Sequence, residues 1–120
     1  MKKKEENKKL PLSGISVLDL TNVLSGPFAT LILADLGANV IKVEKPLGDD
    51  SRNYGPFINN ESSYFISLNR GKKSIVLDLK TKKDKKIFDK LLSKVDILVD
   101  NFKPGILEKL GYSWNSLSKK

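Results

Sequence analysis

The sequence predicts an α/β fold: a Rossmann-like, mainly parallel sheet flanked by helices, left incomplete at four strands. Three observations predict it. Short apolar runs rich in β-branched residues alternate with stretches of helical spacing, the pattern of βαβ units. Residues 17–52 read in order as strand, Gly-Pro turn, helix, Gly stop, strand and mixed-charge loop. Each strand is followed by a polar loop, and open α/β sheets bind ligands at the carboxyl ends of their strands.

Residues 1–11 read as a basic disordered arm carrying Lys2, Lys3, Lys4, Lys8 and Lys9, and residues 12–120 as the structured part. Residues 15–20 are apolar with little alternation, as in a strand covered on both faces. After a loop to Gly26, Pro27 sits in the first helical turn, where its missing N–H costs nothing. Phe28, Leu31, Ile32 and Leu36 recur at helical spacing over residues 27–36, and Gly37 stops the helix. Residues 39–44 form the second strand. Residues 47–60 are loop, rich in Gly, Pro, Asn and Asp. A short helix over 62–69 precedes a third strand at 74–79, interrupted only by Asp78. Thr81-Lys82-Lys83-Asp84 reads as a capping box opening a helix over 82–93 that buries Ile87, Leu91 and Leu92. Residues 95–99 are the fourth strand, and 106–110 and 114–117 are short helical pieces. A sheet completed elsewhere should leave Ile97, Phe102, Ile106, Leu110 and Trp114 under-buried.

Composition narrows the chemistry. The chain has no cysteine and no histidine, so disulfides, thiolate catalysis, zinc-cysteine sites and an imidazole base are excluded. Any catalysis must use carboxylates, lysines or backbone groups. No apolar run approaches the roughly 18–20 residues that span a bilayer, and the basic arm leads into no signal core. The reading is a soluble cytoplasmic protein. Twenty-two basic against 14 acidic residues give a net charge of +8, with nine basic residues between Arg70 and Lys90. This is either a set of solvated helix faces or a field that attracts polyanions. Aromatics are not interleaved with the basic run, as a base-stacking surface would need, so nucleic acid is not the expected partner. The adjacent carboxylates Asp49 and Asp50 lack a third ligand at a recognisable spacing, so no metal site is assigned.

With the strands parallel, their carboxyl ends present Val23, Leu24 and Ser25, then Lys45, then Lys80, then Asn101 and Phe102. Two lysines, an amide and an aromatic on one rim suit a nucleotide with phosphates and an adenine ring. The turn before Pro27 also places N–H groups at a helix N-terminus, which favours anions. It is not a dinucleotide fingerprint, having one glycine where that motif has three; an NAD-binding domain is disfavoured. Glu44 ends the second strand, where a Rossmann enzyme keeps its ribose-binding acid.

Three runs, LSGISVLDLTNVLSGPFATLILADLGANVIKVEKPLGDDSR, YFISLNRGKKSIVLDLKT and VDILVDNFKPGILEKLGY, closely resemble consecutive motifs of the family III (CaiB/BaiF) CoA-transferases, in order and with family-like spacing. The resemblance covers residues 12–117. It implies the amino-terminal, CoA-binding part of a chain several times longer, two copies of which interlock as linked rings. It implies a coenzyme A thioester as substrate, a carboxylic acid as acceptor and no prosthetic group. Among the site residues it implies, Val23, Leu24 and Ser25 line the pantetheine and adenine side. By the same resemblance Lys45 would meet the nucleotide phosphates, Leu77 and Lys80 would contact CoA at a strand end, Asn101, Phe102 and Lys103 would form the adenine and phosphate loop, and Lys109 would be a further basic contact. Lysine where the family often has arginine keeps the charge but loses the bidentate fork.

In the family the nucleophile is an aspartate that attacks the thioester, and by resemblance its position falls beyond Lys120. None of Asp19, Asp35, Asp49, Asp78, Asp96 or Asp100 matches it, so no catalytic residue is named. The expectation is therefore the CoA-binding part of an acyl-CoA:carboxylate CoA-transferase, leaning toward succinyl-CoA or similar dicarboxylate thioesters and truncated before its catalytic aspartate. The rivals are a fragment of an acyl-CoA racemase of the same family and, from another class, a small basic α/β module for nucleic acid. Salt-dependent binding of DNA or RNA separates the last from the others.

Overall fold

A computed structural model describes residues 9–119; residues 1–8, most of the expected arm, lie outside the described residues. The elements in chain order are β1 (Ser16–Asp19), α1 (Ser25–Asp35), β2 (Asn39–Glu44), a 3₁₀ turn (Asp50–Asn53), β3 (Phe57–Ile58) and β4 (Glu61–Ser62). They continue with α2 (Ser63–Asn69), β5 (Lys73–Val76), α3 (Lys82–Leu92), β6 (Ile97–Val99), α4 (Ile106–Lys109) and α5 (Trp114–Leu117). The main sheet is four parallel strands in the order β5-β2-β1-β6. The chain steps outward from β1 to β2 to β5 and then returns to the other side of β1. This is the Rossmann-like, mainly parallel α/β sheet that the sequence predicts. The order reverses between β1 and β6, which makes that gap the topological switch point.

Successive residues of a strand point to opposite faces, and both faces here are covered. Val17 packs with Ala38 and Val40 beneath Leu33 and Ala34 of α1. Its neighbour Leu18 packs with Val43, Leu77, Leu79, Phe88, Leu92 and Tyr112 on the α3 side. This accounts for a first strand without polar alternation.

Several elements differ from their sequence reading. In α1 the buried residues are Pro27, Thr30 and Leu31, whereas Phe28, Ile32 and Leu36 are exposed. The helix is apolar almost all round, so spacing marks a helix without marking its inner face. In α3 the anchor is Phe88, which is fully buried and packs edge-on to Tyr112 at 4.9 Å, while Ile87 is exposed. The third strand pairs only over Lys73–Val76; Leu77 and Leu79 continue as buried core beyond the ladder. The capping box is half formed. Thr81 Oγ1 accepts from the Asp84 N–H at 3.2 Å, but Asp84 turns back to accept from the Asp78 N–H at 2.8 Å. Within the expected loop, Asn59 and Asn60 both take positive φ, 51° and 62°, and join β3 to β4 as a tight hairpin. At the far end of the sheet Ile97, Ile106 and Trp114 are exposed and Phe102 and Leu110 half-buried. No helix among the described residues is long and apolar enough to cross a membrane.

Candidate functional site

A cleft of about 570 Å³ opens at the carboxyl ends of the four parallel strands, where the loops after β1, β2, β5 and β6 meet. Of the residues singled out from the sequence, Val23, Lys45, Leu77, Lys80, Asn101, Phe102 and Lys103 line it. Leu24, Ser25 and Lys109 do not: Leu24 and Ser25 are exposed at the start of α1, and Lys109 is exposed at the end of α4.

The lining residues do different work. Leu77 is only 4% exposed, belongs to the core and donates its N–H to the Glu44 carbonyl. Phe102 packs against the same core with one side turned to the cleft. Lys80 and Lys103 are exposed at the rim. Asn101 clasps the two loops of the switch point. Its Oδ1 accepts from the Asn22 N–H and its Nδ2 donates to the Asn22 carbonyl, both at 2.9 Å. Val23 has φ +70°, a region that β-branched residues avoid. Its N–H donates to Asp49 Oδ1 at 3.2 Å, which helps hold it there.

Sequence reasoning missed the floor. Lys42 is 1% exposed; its ammonium donates to the Thr21 carbonyl at 2.7 Å and pairs with Asp49 Oδ2 at 2.8 Å. The signal was present, since a lysine inside an otherwise apolar parallel strand needs a buried partner, and Asp49 supplies it. Burial would raise the Asp49 carboxyl, but hydrogen bonds from Lys42 and Ser51 hold it below its ordinary value.

The expected ribose-binding role of Glu44 is not available to it. Its carboxylate is buried and accepts two bonds from Arg52, each 2.7 Å, one from Ser74 at 2.7 Å and one from the Asp49 N–H at 2.9 Å. Arg52 in turn lies over the Phe65 ring, 3.8 Å from its centre. Burial opposes ionisation, yet these bonds outweigh it and pull the Glu44 carboxyl down to about 2. A carboxyl depressed on folding stabilises the fold above its unfolded value and loses that contribution as pH falls through its folded one. The chain is therefore expected to lose on the order of 2–3 kcal/mol through Glu44 between about pH 4.5 and pH 2. Urea unfolding across that range checks this: Glu44→Gln should start less stable at pH 7 and show a shallower acid decline. Parallel declines for the two proteins would refute it.

The basic turn after α2 is also not what its charge suggests. Lys72 is buried against Asp19, Thr30, Asn69 and the Pro27 carbonyl, whereas Arg70 forms an exposed pair with Asp35. Lys73 is exposed.

The sequence profile of CoA-transferase family III matches residues 12–120. The chain belongs to CoA-transferase family III. It is 51% identical over 110 residues to the acetyl-CoA:oxalate CoA-transferase of Acetobacter aceti, covering 91% of this chain and 28% of that enzyme. It is 50% identical over 111 residues to the succinyl-CoA:glutarate CoA-transferase of Mus musculus, covering 91% of this chain and 26% of that one. A crystal structure of a CaiB/BaiF family protein from Brucella suis superposes with a TM-score of 0.86 at 39% identity, over 93% of this chain and 31% of that protein. The chain thus spans less than a third of the length of the relatives it matches. The CaiB/BaiF assignment and the parallel sheet agree with the resemblance that the three sequence runs carry.

Proposed function

We propose that this chain supplies the coenzyme A-binding cleft of an acyl-CoA:carboxylate CoA-transferase acting in the cytoplasm. The observation that carries the reading is the switch-point cleft, which joins a half-buried aromatic, Phe102, to three exposed lysines, Lys45, Lys80 and Lys103, on one rim. An adenine ring against Phe102 with phosphates toward the lysines fits that distribution. Exposed lysines can reorient at little cost, which suits a flexible polyphosphate ligand. The acceptor is proposed to be a dicarboxylic acid, because relatives of this chain act on oxalate, glutarate and mesaconate.

The reading gives this chain recognition and assigns it no nucleophile. Covalent transfer uses a carboxylate that attacks the thioester; by the resemblance that the three sequence runs carry, none of the aspartates of this chain stands at that position.

Calorimetric titration with CoA tests the reading. A partly exposed charge-assisted hydrogen bond contributes about 1.5 kcal/mol, so Lys45→Ala should weaken binding roughly tenfold. Lys94→Ala, at the opposite end of the sheet, should change nothing. Equal affinities for the wild type, Lys45→Ala and Lys80→Ala would make the rim lysines ordinary surface charges and remove the site.

A further inference from the structure

Lys45, which lines the cleft, faces Asp50, each side chain 49% exposed, with Nζ 2.5 Å from Oδ1. Asp50 is not a loose surface acid. Its Oδ2 accepts from the Asn22 amide at 2.8 Å, and its own N–H donates to Asn22 Oδ1 at 3.1 Å. Asn22 is clasped through its backbone by Asn101 from the loop after β6. Loops from three strand ends therefore fix this one carboxylate. Hydrogen bonds from Lys45 and then Asn22 hold its carboxyl below the ordinary value, so it is charged at neutral pH.

Resting on the coenzyme A reading above, we propose that Asp50 is an internal counter-anion: it occupies Lys45 in the free chain and yields it to a ligand phosphate. Lys45 is the moving member of the pair. It is tied only to Asp50 among the contacts described, whereas Asp50 keeps both bonds to Asn22 when the ammonium turns away. The exchange discriminates by charge. Trading one carboxylate for another leaves Lys45 where it began, but a phosphomonoester carries about −1.5 to −2 near neutral pH and attracts the ammonium more strongly. Asp50, fixed in place, remains as a nearby negative charge that the incoming phosphate must outcompete.

Removing that charge should tighten binding, the opposite sign from the loss of an ordinary contact residue. Asp50→Asn is expected to raise the affinity for CoA about three- to fivefold, the size of one half-exposed ion pair. Asp50→Ser, which also lacks the charge, should act in the same direction, and circular dichroism establishes that both variants are folded. In a Lys45→Ala background the gain from Asp50→Asn should shrink to less than twofold. Tighter binding that depends on Lys45 supports the exchange. A gain of equal size with and without Lys45 means that Asp50 acts on the ligand directly, and overturns it. Unchanged or weaker binding by both Asp50 variants, with the wild type binding CoA, overturns the inference and leaves the cleft reading standing. No binding of CoA by the wild type overturns both.

Discussion

Lys72→Met is expected to destabilise the chain by about 3–5 kcal/mol, the cost of leaving a buried charge without its partner. Arg70→Ala, two positions away, should stay within about 0.5 kcal/mol. The contrast rests on burial. The Lys72 and Asp19 side chains are 1% and 0% exposed, and the Lys72 ammonium lies within 3.1 Å of Asp19 Oδ2, the Pro27 carbonyl, Thr30 Oγ1 and Asn69 Oδ1. Those acceptors belong to the end of β1, the first turns of α1 and the end of α2, so one side chain ties three elements. Burial pushes the Lys72 ammonium below its ordinary value and Asp19 pulls it back up. Arg70 and Asp35 are instead 56% and 52% exposed. Urea unfolding of the two variants is the measurement. Asp19→Asn added to Lys72→Met should recover part of the loss by removing the orphaned charge. A Lys72→Met protein as stable as Arg70→Ala would show that the buried pair contributes nothing.

The fold was legible in the sequence wherever one physical signal dominated. Residues 39–44 read as a strand and form β2 with those bounds, because an apolar β-branched run between Gly37 and Pro46 has no competing reading. The parallel sheet followed from alternation alone. What could not be read were choices between equivalent faces: α1 is apolar all round, and only the neighbours it meets decide that Thr30 and Leu31 turn inward while Phe28 and Ile32 turn out. The rim was legible because strand ends are fixed by strands, so Lys45, Lys80 and Phe102 meet at one cleft. The partners behind it were not. Lys42 with Asp49, Lys72 with Asp19 and Glu44 with Arg52 join residues whose pairing depends on loop conformation. Charge in the sequence says that a group needs solvation, not whether water or another side chain provides it. Lys72 and Arg70 stand two residues apart in one basic run and resolve that question in opposite ways.

Gly26→Ala should destabilise the chain by at least about 3 kcal/mol, at the upper end of the cost of overpacking a filled site. In the sequence Gly26 reads as turn chemistry before Pro27, but it lies inside the first turn of α1. There alanine would ordinarily favour the helix by up to about 1 kcal/mol. Packing reverses the sign. A Cβ on Gly26 would lie 2.3 Å from Thr21 Cβ and 2.4 Å from its Cγ2, distances that force one backbone or the other to move. Thr21 cannot withdraw cheaply. It is 2% exposed, its N–H and hydroxyl both donate to Asp19 Oδ1, and its carbonyl accepts the buried Lys42 ammonium. Displacing it would loosen both buried ion pairs, Lys72–Asp19 and Lys42–Asp49, together with the β1 loop that lines the cleft. Gly14→Ala is the matched control, because Gly14 has φ +93° but nothing within 4 Å of an added Cβ. It should cost only the left-handed backbone penalty, about 1–2 kcal/mol. Urea midpoints rank the two variants, and on the proposed coenzyme A reading, titration of whatever Gly26→Ala protein folds should show weakened binding as the β1 loop shifts. A Gly26→Ala protein no less stable than Gly14→Ala would mean that α1 slides freely over Thr21, and the close packing that positions the floor of the cleft would lose its role.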